Sequence, residues 1–136
     1  MNVEDSEIKE LLSSYKKIGV YGLSQNPEKP SHYVPVYMRE QGWDMIGAHP
    51  RVHSEGGFEI YKSFAEIPAE HRKFANIFRA SEKIPQVVDE ILEIGGVEVL
   101  WLQMGIQHAE AEKCAEDAGL KVVSNRCLII EHKKWF

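Results

Sequence analysis

The chain has 136 residues, 43% of them apolar and 27% charged, with a formal net charge of −5 at pH 7. That is the length of one domain with a real core, and the negative balance argues against a general nucleic-acid binder, which needs a basic face. No apolar run approaches the roughly 20 residues that cross a bilayer, and the acidic, polar start does not read as a signal peptide.

Residues 3–15 carry Ile8, Leu11, Leu12 and Tyr15 at helical spacing, with Glu4, Asp5 and Glu7 in the first turn, so a packing helix is predicted there. Residues 18–21 read as a buried strand, followed by a loop opening at Gly22 and a helix that begins near Ser31 and runs to about 41. Val34, Tyr37 and Met38 mark that helix's apolar face, Pro35 is expected near its first turn, and Gly42 ends it. Strand, small-residue loop and helix turn free backbone N–H groups and a positive helix end toward an anion. Gly22 admits backbone angles closed to other residues and lets a phosphate come close. Ser24, Gln25, Asn26 and Ser31 supply polar atoms and Lys29 a charge, while Pro27 and Pro30 stiffen the loop. A dinucleotide fingerprint asks for Gly-x-Gly-x-x-Gly, of which only the first glycine is present, and the Gly-Lys-Ser/Thr of a phosphate loop is missing. The loop alone is therefore as consistent with a plain connection as with a phosphate cradle.

A second strand over 43–48 closes on His49-Pro50-Arg51, and a loop follows over 52–57. Residues 58–61 read as a short edge piece and 63–67 as a helical turn before Pro68. The third strand covers 74–78, and Ser81 is placed to cap a helix whose face is Ile84, Val87, Val88, Ile91 and Leu92, stopped by Gly95-Gly96. The fourth strand, 97–102, ends at Gln103-Met-Gly105. A helix over about 107–118 turns Ala111, Ala115 and Ala118 inward, and the fifth strand, 120–123, runs into Ser124-Asn-Arg-Cys127 and Leu128-Ile-Ile130. No repeat, linker or low-complexity segment interrupts residues 1–136, which are expected to form one domain.

Strands alternating with helices predict an α/β fold: a doubly wound, Rossmann-like, five-stranded parallel sheet in the order 3-2-1-4-5, in three layers. A ligand crevice is expected at the carboxyl ends of strands one and four, with the polar segments 22–31, 49–51, 79–81 and 103–105 on that edge.

In chain order, Gly22-x-Ser-x-x-Pro-x-Lys-Pro-Ser31, Ala48-His-Pro50, Phe78-Arg-x-Ser-Glu82, Trp101-Leu-Gln-Met-Gly-Ile106 and Asn125-Arg-Cys127 resemble the small bacterial CoA-binding proteins. These are stand-alone relatives of the CoA-binding domain in the succinyl-CoA synthetase α subunit. Lys29 stands where the family commonly has arginine, His49 where asparagine is frequent, and Asn125 where Asp-Arg-Cys is usual. The resemblance implies coenzyme A or an acyl-CoA as ligand, its pyrophosphate over Gly22, Leu23, Ser24, Gln25 and Asn26, with Lys29 adding charge. It implies that His49, Pro50 and Arg51 flank the adenosine and its 3′-phosphate. Leu102, Gln103 and Met104 would present backbone along the pantetheine arm, and Phe78 and Arg79 line the remaining wall. Synthetase activity is not implied, because its phosphohistidine comes from a second domain.

The remaining chemistry-bearing residues have blander readings. Cys127 beside Arg126 reads first as a buried, inert cysteine and second as a thiol that pairs with that of CoA; Cys114 reads as packing. Two cysteines without metal spacing fit a reducing, cytoplasmic setting. The histidines, His49 and His53 included, show no ligand spacing, so no metal is expected. His108 starts a helix near the crevice. Glu110, Glu112, Glu116 and Asp117 read as a solvated face, Trp43 and Trp101 as core. The basic, aromatic tail His132-Lys-Lys-Trp-Phe136 suits docking on the body or on a partner.

No nucleophile–base pair, paired carboxylates or metal set defines a reaction. The leading expectation is a CoA-binding module without catalytic machinery, acting as sensor, carrier or thiol-redox partner. A second is a CoA-dependent enzyme completed by a partner subunit, and a third an NAD-type redox sensor, against which stand the missing glycines and the absence of an acid closing strand two. A protein partner or homo-oligomer stays open; nucleic acid and membrane do not.

Overall fold

The computed structural model describes residues 3–51 and 58–136. Its helices are α1 (Asp5–Ser14), α2 (Pro30–Glu40), α3 (Ala69–Arg72), α4 (Ile84–Ile94), α5 (Ala109–Asp117) and α6 (Leu128–Trp135). Its strands are β1 (Lys17–Tyr21), β2 (Asp44–Ala48), β3 (Ile60–Tyr61), β4 (Phe74–Ile77), β5 (Val99–Leu102) and β6 (Lys121–Val123). Every ladder is parallel, and both faces of the sheet are covered. Burial on both sides is why β5 is the unbroken apolar run Val-Leu-Trp-Leu with no polar alternation.

The sheet has six strands in the order β3-β2-β1-β4-β5-β6, which corrects the expected five. The additional strand is the edge piece, two residues long, hydrogen-bonded to β2 through Gly47↔Ile60 and Ala48↔Tyr61. It takes the outer place that a five-strand order assigns to residues 74–78. Those residues instead pair with β1, Gly19↔Ala75 through Tyr21↔Ile77. The winding therefore reverses between β1 and β4, and the crevice lies there rather than against the strand ending at Leu102.

One face of the sheet packs Ile18, Val20 and Trp101 against Ile8 and Leu12 of α1, Val34 and Met38 of α2, and Leu128 of α6. The other packs Ile77, Leu100 and Leu102 against Ile84, Val88 and Ile91 of α4, Ala115 of α5, and Phe64. Trp43 is buried in the first core, its indole N–H donating to the Leu12 carbonyl at 3.2 Å.

Several local expectations are corrected. α2 starts at Pro30, so Pro35 falls in its second turn. Ser81 does not cap α4: its hydroxyl donates to the Gly105 carbonyl at 3.4 Å and accepts the Gln107 N–H at 3.1 Å, tying two loops together. Ala118 and Cys114 of the α5 region are exposed. Glu112 is buried rather than solvated, its carboxylate accepting the His108 N–H at 2.8 Å while His108 Nδ1 accepts the Ala111 N–H at 3.2 Å. That reciprocal arrangement caps α5. The tail is helical and docks on the body: His132 Nδ1 lies 2.9 Å from the Tyr37 hydroxyl, and its ring meets Trp43 edge-on and stacks on Phe136. The loop over 52–57, with His53, lies outside the described residues.

β1 admits no side chain at Gly19, where a Cβ would stand 2.8 Å from the His71 carbonyl oxygen and 3.1 Å from the Phe64 ring. A backbone carbonyl cannot swing aside as a side-chain tip can. Gly19→Ala is expected to destabilise by about 1–3 kcal/mol, read as a lower urea midpoint with unchanged slope.

Candidate functional site

A cleft of about 600 Å³ opens at the carboxyl edge of the sheet, over β1 and β2. Tyr21 and Gly22 form its floor at the end of β1, and Ser24, Lys29 and Ser31 its rim at the start of α2. Ala48, His49, Pro50 and Arg51 come from the end of β2, Lys62, Ser63 and Phe64 from beyond β3. Phe78 and Arg79 follow β4, and Glu90 reaches in from α4.

Gly22 is the pivot. Its φ of 94° lies in the left-handed region, and a Cβ there would stand 2.7 Å from the Phe78 carbonyl oxygen. Its N–H donates to the Ala48 carbonyl at 2.9 Å, binding the turn to the end of β2. The loop beyond is held by short-range bonds. The Ser24 hydroxyl accepts the Asn26 N–H at 3.1 Å, the Asn26 side chain accepts the Glu28 N–H at 3.0 Å, and His32 Nδ1–H donates to the Ser24 carbonyl at 2.7 Å. Pro35 contributes as well. Lacking an N–H, it leaves the Ser31 carbonyl without its helical donor, and the Ser24 N–H fills that place at 3.1 Å. After these bonds, the N–H groups of Leu23, Gln25 and Ser31 have no acceptor among the described residues. Open donors at the start of an 11-residue helix favour an anion.

The cleft's cations are Lys29, Arg51, Lys62 and Arg79, all exposed and none in an ion pair among the described residues. Three of them act on His49, whose ring is pushed below its ordinary pKa by burial and then by the charges of Arg51, Arg79 and Lys29. His49 Nδ1 accepts the Arg51 N–H at 3.1 Å. A second recess of about 600 Å³ lies at the amino edge, but its charges are matched. Lys17 pairs with Glu70, Lys121 with Glu7 at 3.5 Å, and the Tyr15 hydroxyl, pushed up to about 12 by burial and Glu98, donates to Glu98 at 2.6 Å. Unmatched positive charge distinguishes the first cleft.

Of the residues singled out from sequence, Gly22, Ser24, Lys29, Ser31, His49, Pro50, Arg51, Phe78 and Arg79 line this cleft together. The others stand elsewhere. Leu23 is buried, packed where Gly47 has no Cβ, and Gln25 and Asn26 are exposed on the outer loop. Leu102 is core, its carbonyl accepting the Arg126 N–H at 3.3 Å. Gln103 is buried, its N–H donating to the Ile77 carbonyl at 3.4 Å and its side chain 3.5 Å from Asn76 Nδ2, and Met104 is exposed. Asn125 adopts a φ of 57° and its side chain accepts the Gly105 N–H at 2.7 Å, a bond either an amide or a carboxylate oxygen makes. Cys127 is buried, and neither thiol lines the cleft.

Sequence reasoning missed Tyr21, Ala48, Lys62, Ser63, Phe64 and Glu90 as lining residues. Tyr21 and Ala48 are strand termini beside motif residues and were within reach of a register argument. Glu90 had no signal, since it sits among the polar positions of an amphipathic helix.

The family model described as "CoA binding domain" matches residues 16–133. The Bacillus subtilis (strain 168) protein YneT is 34% identical over 131 residues, 96% of each chain. Among solved structures, cell-free ID.343 from Thermus thermophilus superposes with a TM-score of 0.87 at 36% identity, covering 98% of this chain and 100% of its own. A protein from Pyrococcus horikoshii OT3 gives 0.87 at 32% identity, covering 98% and 92%.

The depressed pKa of His49 carries a sign that solution measurements check. The unfolded chain takes up the proton first as pH falls, so this stabilising contribution is complete above about 6.5 and is lost as pH drops through the folded value. Between pH 7.5 and 5 the wild-type urea midpoint is expected to fall further than that of His49→Gln.

Proposed function

The chain belongs to the CoA binding domain family, and on that premise we propose that it is a CoA-binding module holding the cofactor in the cleft at the carboxyl edge of the sheet. The phosphates lie over the loop from Gly22 to Ser31, met by its open N–H groups and by Lys29. Arg51 and Lys62 meet the 3′-phosphate beyond β2, and Arg79 closes the wall after β4. The observation that carries this reading is a group of four cations, unpaired among the described residues, on one cleft of a protein with net charge −5. Surplus positive charge held in one place attracts a polyanion, while the acidic remainder repels nucleic acid.

Binding, as sensor or carrier of CoA or an acyl-CoA, fits better than reaction. His49 Nδ1 engages the Arg51 backbone and not a hydroxyl of Ser24, Ser31 or Ser63, so among the described residues the cleft has no serine paired with a histidine base. A thiol-redox role is less favoured, because Cys127 is buried and Cys114 sits on α5. An NAD-type reading is disfavoured by β2, which closes on Ala48 and His49 where a ribose diol wants a carboxylate.

Titration calorimetry of the purified protein with CoA, dephospho-CoA and NAD tests the reading. CoA is expected to bind tightest, and Lys29→Ala and Arg51→Ala each to weaken it about tenfold, the worth of one charge-assisted hydrogen bond. Absence of CoA binding, or equal affinity for dephospho-CoA, overturns it.

A further inference from the structure

Glu90 is the one carboxylate lining the cleft among the described residues, and a cradle for phosphates has no use for it. Negative charge beside the phosphate positions repels them, yet Glu90 forms no ion pair with the cleft's cations among the described residues. Its protein partner is the Tyr21 hydroxyl, which donates to Oε1 at 2.5 Å. Oε2 has no protein donor among the described residues. The Tyr21 ring lies beside that of buried Phe64, centroids 5.8 Å apart and planes 33° apart, so Phe64 braces a half-buried Tyr21 ring that ends in a held carboxylate. Burial pushes the Tyr21 phenol well above its ordinary range, the Glu90 contact adds to this and the Arg79 charge opposes it, so the phenol stays protonated and holds the carboxylate in a partly buried hydrogen bond.

We propose that Glu90, oriented by Tyr21, reads the nucleobase of the bound cofactor by accepting a hydrogen bond from the 6-amino group of adenine. The proposal rests on the CoA reading above. With the pyrophosphate over the Gly22 turn, the nucleoside half of the ligand extends toward the end of β2, on the side of the cleft that Tyr21, Phe64 and Glu90 wall. A base is flat and fits against an aromatic ring; its exocyclic amine is a donor that a carboxylate accepts. A partly buried acceptor discriminates sharply against a ligand lacking that donor, because the acceptor is then left desolvated and unpaired. Tyr21 is a positioning residue here, and Glu90 makes the contact.

The test is calorimetric binding of CoA and of 6-deamino-CoA, in which purine replaces adenine, to the wild type, Glu90→Gln and Glu90→Leu. The wild type is expected to prefer CoA by about 10- to 100-fold, the range of a hydrogen bond to a charged group. The preference should shrink severalfold in Glu90→Gln, a near-isosteric change, and vanish in Glu90→Leu, while 6-deamino-CoA binds both variants at least as tightly as the wild type, because neither leaves an unpaired charge. Equal binding of the two compounds by the wild type, or an unchanged preference in both variants, overturns the role of Glu90 and leaves CoA binding standing. Binding of neither compound by the wild type overturns both.

Discussion

Between β1 and β4 the crossovers leave in opposite directions, so α2 covers one face of the sheet and α4 the other. The carboxyl ends of the two strands are left with no helix above them. The site is built from what reaches that gap. Gly22 turns the chain from β1 at a φ that excludes a side chain, His49 and Arg51 follow the neighbouring strand, and Arg79 follows β4. A parallel sheet brings these segments to one edge because each begins where a strand ends.

Electrostatics divide the molecule in the same way. At the amino edge, Lys17, Lys121 and Tyr15 each face a glutamate, and α5 pairs Lys113 with Asp117 across one turn at 3.0 Å. At the carboxyl edge the cations face one another. Burial lowers the pKa of His49 and the charges of Arg51, Arg79 and Lys29 lower it further; like charges gathered at one rim are a standing cost that a polyanion relieves. The acidic balance of the chain and its cationic cleft are therefore compatible.

The parts legible in the sequence were those with period or chemistry of their own. Ile8, Leu11 and Leu12 announced α1, the apolar face from Ile84 to Ile91 announced α4, and the residues after β1, β2 and β4 announced the cleft. β3 was recognised only as an edge fragment, since two residues carry no alternation, and without it the strand order was misassigned. α6 was missed because Leu128-Ile-Ile130 is a continuous apolar run that reads equally as strand. Glu112 looked like one acid among several, and only its place opposite the His108 N–H explains its burial. That contact lies within one turn of helix, whereas the Gly19↔Ala75 pairing that sets the strand order joins distant segments and leaves no local trace.

Pro35 joins the helix to the loop in a way that bears on the cost of binding. By withholding a donor from Ser31 it lends that carbonyl to Ser24, so the loop after β1 shares a hydrogen-bond ladder with α2. Each such bond narrows the conformations open to the loop before any ligand is present. On the proposed reading, a phosphate then meets donors already in place, and the cost of ordering the loop is not drawn from binding.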